Sequence, residues 1–169
     1  MTSHRGDAVP SPAHPLLRSS AAAVIRTGGP GGAASPSAAL HIACGPEGLA
    51  CARSFTRDTL RGWSLGHRCD DATLVITELA TNAVTHAAPR CAGAQDVRLG
   101  FRLEPAHLLL TVSDPDDRPP VRTPGTGAAL EEHGRGLHIV DALSEAWGWT
   151  PAPPAGKTVW ARLSTHPPI

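Results

Sequence analysis

The sequence carries no excess of either charge: 15 Lys and Arg stand against 15 Asp and Glu over 169 residues. That balance removes the electrostatic case for nucleic acid or an anionic membrane surface, both of which call for a basic face. No stretch reaches the roughly eighteen consecutive apolar residues of a membrane span. The opening, MTSHRGDAVPSPAHPLLRSSAAAVIR, places Pro10, Pro12 and Pro15 where a signal peptide needs a clean apolar run, and Arg18, Ser19 and Ser20 interrupt the stretch from Leu16 to Ile25. The cysteines Cys44, Cys51, Cys69 and Cys91 form no Cys-x-x-Cys pair, and the nine histidines show no ligand spacing. Buried free thiols in a reducing cytosol, in a soluble cytoplasmic protein, are therefore expected.

What is present has the length of one domain with a tail. Residues 1–37 are rich in Ala, Ser, Pro and Gly and end in TGGPGGAASPS; such a segment buries too little apolar surface to offset its ordering entropy and is expected to be disordered. The folded unit is expected over 38–165, with 166–169 as a short C-terminal tail. In ALHIAC, Leu40, Ile42 and Cys44 alternate with Ala39, His41 and Ala43 at a strand's period. Pro46 can open a helix whose stripe runs through Leu49, Ala52, Phe55 or Thr56, Thr59 and Trp63 before Gly62 and Gly66 break it. CDDATLVITELATNAVTHAAP reads as the clearest helix, with aspartates at its positive end and Pro89 after its close.

DVRLGFRLEP and HLLLTVSD read as an antiparallel hairpin turning at PAH. A long polar connection, DPDDRPPVRTPGTGAALEEHG, has the length of a functional or mobile loop. GRGLHIVDALSEAWG resumes a helical stripe through Leu137, Val140, Asp141 or Leu143 and Trp147, and KTVWARL is the last strand, reached across PAPPAG. Strand, helix, helix, hairpin, loop, helix, strand suits an α+β sandwich of two layers, a mixed and mostly antiparallel sheet with helices on one face.

Within TELATNAVTHA, Glu78 and Asn82 stand four residues apart and so leave the helix on the same side. The pair alone reads as two surface side chains facing water, against which the flanking Leu74 and Val75 argue. A carboxylate with little water needs a cation, a donor or a raised pKa, and an amide oxygen beside it suits a hard metal such as Mg²⁺ bound with phosphates. In GRGLHIV, Gly134 and Gly136 open a helix and allow backbone N–H groups to approach an anion. Asp114 closes the apolar strand, where it is either a turn residue before Pro115 or an acceptor for an amino group such as that of adenine. PAGKTVW is not a P-loop: Pro151 stands where the first glycine is required, and the segment reads as a strand. No Gly-x-Ser-x-Gly elbow anchors hydrolase chemistry, and His86 and His138 read as ordinary helix residues.

In order, ELATN with NAVTHA, VSDPDDRPP, GRGLHIVDAL with AWGW, and GKTVWARL resemble the HATPase-type ATP-binding domain of the GHKL superfamily, over roughly Ala39 to Ser164. Small bacterial anti-sigma factor serine/threonine kinases and their regulatory relatives are the most similar members. The resemblance implies ATP and Mg²⁺ as ligands, with Glu78 as the catalytic glutamate that orients or deprotonates the attacking hydroxyl and Asn82 as the metal-holding asparagine. It implies further that Asp114 accepts from the adenine amino group, that Gly134, Arg135, Gly136 and Leu137 form the glycine box at the phosphates, and that Thr158 lies near the adenine. Pro115 to His133 corresponds to a mobile lid.

Two positions depart from the pattern. Pro115, Asp116, Asp117 and Arg118 replace the usual glycines after Asp114, implying an altered and weaker adenine end. Lys157 stands where related kinases carry a small hydroxyl residue; it could reach a phosphate or sit on a strand edge, and the edge is favoured.

The resemblance implies two alternative functions. One is an enzyme that passes the γ-phosphoryl group of ATP to a serine or threonine of an anti-sigma antagonist protein. The other is a non-catalytic module that sequesters a sigma factor or another transcription regulator and uses ATP for shape. A detached sensor-kinase ATPase domain is a weaker third, because no phospho-acceptor helix precedes the motifs. The expected partners are proteins, with neither nucleic acid nor membrane, and a homodimer is compatible with the resemblance.

Overall fold

The structure, a computed structural model, describes residues 35–87, 97–120 and 136–167. β1 (Ser37–Ile42) starts the fold, followed by α1 (Pro46–Gly62), a 3₁₀ turn at Gly66–Arg68, and α2 (Cys69–Ala87). The hairpin β2 (Val97–Leu103) and β3 (His107–Asp114) comes next, then α3 (Gly136–Leu143), β4 (Ala146–Pro151) and β5 (Lys157–Ser164). The strands lie in the order β1-β2-β3-β5-β4. Every pairing is antiparallel, so among the described residues the sheet is wholly rather than mostly so.

Burial alternates along β2, β3 and β5, which marks one face of the sheet as covered and the other as open. α2 supplies the cover: it packs on β3 and touches β2 and β5, with α1 and α3 on its flanks. Its Ile76, Ala80 and Ala83 are buried, the small side chains letting the helix lie close against Leu108, Leu110 and Val112. Phe55 of α1 stacks on Phe101 of β2 with ring centroids 5.1 Å apart, joining the first helix to the same core. At the start of α2, Arg68 pairs with Asp71 at 2.9 Å and donates through Nε to the Ser164 carbonyl at 2.7 Å, so the helix is tied to the end of β5.

Four expectations are corrected. The third helix stops at Leu143 instead of running on to Trp147, and Ala146–Pro151 forms β4. Trp147 and Trp149 alternate with Gly148 and Thr150 at a strand's period, and Gly148 faces Trp160, whose Cζ2 would lie 2.9 Å from an added Cβ. Lys157 is therefore not on an edge, since β5 runs between β3 and β4. Cys44, half-buried in the turn after β1, is disulfide-bonded, whereas Cys51 and Cys69 are free. The inference from free thiols to a reducing compartment thus fails for Cys44. Finally, the α1 stripe runs through Leu60 rather than Thr59.

Among the described residues no helix is long and apolar enough to cross a membrane. The expected tail at 1–37 lies outside the described residues up to 34, and Ser37 already belongs to β1.

The junction between β1 and α1 is tight. A Cβ on Gly48 would be driven into the Ala43 carbonyl. Glycine to alanine ordinarily strengthens a helix, but here the clash is with backbone that cannot rotate away. Gly48→Ala is expected to lower stability by about 1–3 kcal/mol, the usual range for overpacking, measured by urea unfolding.

Candidate functional site

Between α2 and the end of the sheet lies a cavity of about 180 Å³. Leu79 and Ala83 of α2, Leu137 of α3 and Val159 of β5 form its apolar wall, and Asn82, Asp114, Asp116 and Lys157 bring polar groups to it. The sandwich explains this assembly. The covered face of β3 ends at Asp114, whose register partner on β5 is Lys157, and the C-terminal half of α2 passes over both.

Asp114 and Lys157 are 6% and 4% exposed, so each needs a partner. Lys157 Nζ donates to Asp114 Oδ1 at 3.1 Å and to the Asp116 carbonyl at 3.0 Å. The Asp116 N–H also donates to Asp114 Oδ1, at 2.8 Å. Asp116 in turn accepts from Arg118 Nε at 3.0 Å, and these bonds hold its carboxyl below the usual carboxylate range despite burial. Arg118 reaches back to the His86 carbonyl at 3.3 Å, and the Asp117 carboxylate accepts from the Gly156 N–H. The turn after Asp114 is thus a hydrogen-bonded clamp joining β3, β5 and α2. Gly156, at φ 96°, is in the left-handed region, and its missing Cβ leaves room for the Asp114 carbonyl.

Glu78 and Asn82 are both half-buried on the flank of α2 that meets α3. Val75 is fully buried beside them, but Leu74 is 46% exposed and screens little. A Cβ on Gly136 would lie 2.6 Å from Glu78 Oε2, so the glycine at the start of α3 makes room for the glutamate. Desolvation raises the Glu78 carboxyl above its ordinary value.

Of the residues singled out in the sequence, Asn82, Asp114 and Leu137 line one cavity, while Glu78 stands one helical turn before Asn82 and against Gly136. Thr158 is not brought to it. Its Oγ lies 2.7 Å from Ser113 Oγ on the opposite face of the sheet, because the register gives Lys157 the place facing Asp114. Gly134 and Arg135 lie outside the described residues, as does most of the expected lid. Asp116, Arg118 and the buried role of Lys157 were missed. The signal for Lys157 was available, since it falls in phase with Val159, Ala161 and Leu163 on the covered face of β5.

A concave, largely apolar cavity with a few convergent polar groups, set in an α+β domain, has the make-up of a small-molecule site. The chain belongs to the histidine kinase-like ATPase domain family, whose model matches residues 42–163. An uncharacterized protein of Streptomyces coelicolor is 36% identical over 73 residues, covering 43% of this chain and 67% of that protein.

The raised Glu78 pKa has a stability consequence. Its neutral form is favoured in the fold, so the associated stability is fully present below the unfolded value of 4.5 and is lost as pH rises through the folded value. Glu78→Gln is expected to retain that stability. Its melting temperature relative to wild type should be higher at about pH 7 than at about pH 4, by calorimetry.

Proposed function

We propose that this domain binds Mg·ATP with the base in the cavity at Asp114 and acts as a regulatory serine/threonine kinase of the anti-sigma type. The observation that carries the reading is the convergence of Asn82 and Asp114, from α2 and β3, on one cavity whose wall includes Leu137 at the start of α3. That cavity is smaller than the roughly 300–1,000 Å³ of sites enclosing whole drug-sized ligands, which suits a base held inside and phosphates extending outward.

Metal fit rests on Asn82. Among the described residues no three His, Cys, Asp or Glu side chains gather as a cage, so a divalent ion would be held by the Asn82 amide oxygen together with phosphate oxygens, as Mg²⁺ commonly is. When bound, Mg²⁺ neutralises charge on those phosphate oxygens. The remaining work falls to the chain. Glu78, half-buried and with its pKa raised, is a stronger base than an exposed carboxylate and accepts the proton of a serine or threonine hydroxyl. The hydroxyl oxygen takes the γ-phosphoryl group as its bond to the β-phosphate oxygen breaks, and ADP leaves. The substrate is an anti-sigma antagonist protein, the setting is cytoplasmic, and a sigma factor is the second partner.

Asn82→Ala is expected to weaken Mg·ATP binding by at least about tenfold in calorimetry, since even outer-shell partners of a metal are worth about 10–100-fold. With labelled ATP and candidate antagonist proteins, Glu78→Gln should abolish transfer while leaving ATP bound. Undiminished transfer removes Glu78 from this role. ATP and partner binding with no transfer by the wild type would favour the sequestering module.

A further inference from the structure

Lys157 is the only lysine in the sequence. Lysine is almost never fully buried unless paired, yet this one lies inside the fold at the wall of the cavity. An ammonium has three N–H donors and no acceptor. Two of the three go to Asp114 Oδ1 and the Asp116 carbonyl. Asp116 Oδ2, at 3.9 Å, is too far to take the third in a hydrogen bond. Asp114 uses one oxygen, Oδ1, for both the ammonium and the Asp116 N–H. Its second oxygen accepts no hydrogen bond among the described residues.

We propose that Lys157 is a second nucleobase contact, which with Asp114 reads the edge of an aminopurine. This rests on the nucleotide reading above and deepens it. The cavity offers a carboxylate acceptor, Asp114 Oδ2, beside a cationic donor, Lys157 Nζ. The matching edge carries an exocyclic N–H next to a ring nitrogen with a lone pair. In adenine these are the 6-amino group, given to Asp114, and N1, which accepts from Lys157. A hydroxyl at position 157 could donate or accept, whereas the ammonium can only donate, so it demands an acceptor on the base. Leu79, Ala83, Leu137 and Val159 supply apolar surface for the ring. Lys157 is thereby a specificity-determining residue, and its charge also holds in place the carboxylate that recognises the amino group.

The test compares ATP with 1-deaza-ATP, in which N1 is replaced by a C–H group. For the full wild-type chain with Mg²⁺, calorimetry should give an affinity about 10- to 100-fold lower for the deaza nucleotide, the range of a hydrogen bond from a charged donor. In Lys157→Met the difference should collapse to less than about threefold, because no donor is left to miss the ring nitrogen. A merely structural lysine would weaken both nucleotides alike and leave their ratio unchanged. Should the variant fail to fold, the wild type still decides. Protein labelled with ¹⁵N-lysine gives one ammonium signal, which should shift with saturating ATP and stay in place with saturating 1-deaza-ATP. Equal affinities and equal shifts in the wild type overturn the role of Lys157 while leaving nucleotide binding intact. No ATP binding at all overturns the nucleotide reading and this contact together.

Discussion

The ion pair between Lys157 and Asp114 is the constraint around which the site is organised. Two charges taken out of water are costly unless each finds partners, and removing one partner leaves the other stranded. Both conditions explain the surrounding turn. Asp116 offers its carbonyl to the ammonium and its N–H to Asp114, Arg118 neutralises Asp116, and Asp117 accepts from Gly156 at the end of the β4–β5 turn. The segment 115–120, with three prolines, two aspartates and an arginine, would otherwise be an ordinary polar loop. Here it is held against β5 and α2 because the buried lysine needs it.

α2 meets a different requirement. It must lie close to the sheet and still present polar groups at one flank. Ala80 and Ala83 meet the first demand by being small and buried, and Glu78 with Asn82 meet the second by lying off that face. The two demands meet again at Gly136, where the missing Cβ lets α3 start against the Glu78 carboxylate without displacing it. Desolvation in that setting raises the Glu78 pKa, a property suited to a base.

Much of this was legible in the residues. Period-two alternation exposed β1 and β2, an apolar run exposed β3, the PAPPAG turn set off β5, and the aspartates at the start of α2 marked its positive end. Spacing alone placed Glu78 and Asn82 on one side. β4 was hidden because the apolar phase of α3 happens to continue to Trp147, and its strand character depends on pairing with β5, a contact made across a turn. That Lys157 rather than Thr158 faces the cavity was hidden for a related reason. A short motif fixes residue type, but which of two adjacent residues faces the cavity depends on register, and a shift of one position reverses the face. The disulfide at Cys44 was invisible because the cysteines form no Cys-x-x-Cys or other local pattern that marks a bonded pair.

Family membership accounts for the two-layer scaffold, and the function proposed for it rests on the residues at the cavity. The most direct measurement is a crystal structure of the full chain with Mg²⁺ and a non-hydrolysable ATP analogue. The account predicts the adenine between α2 and β5 with its amino group on Asp114, and the metal bridging Asn82 and the phosphates. A nucleotide bound elsewhere, or one turned with its phosphates toward Asp114, would contradict it.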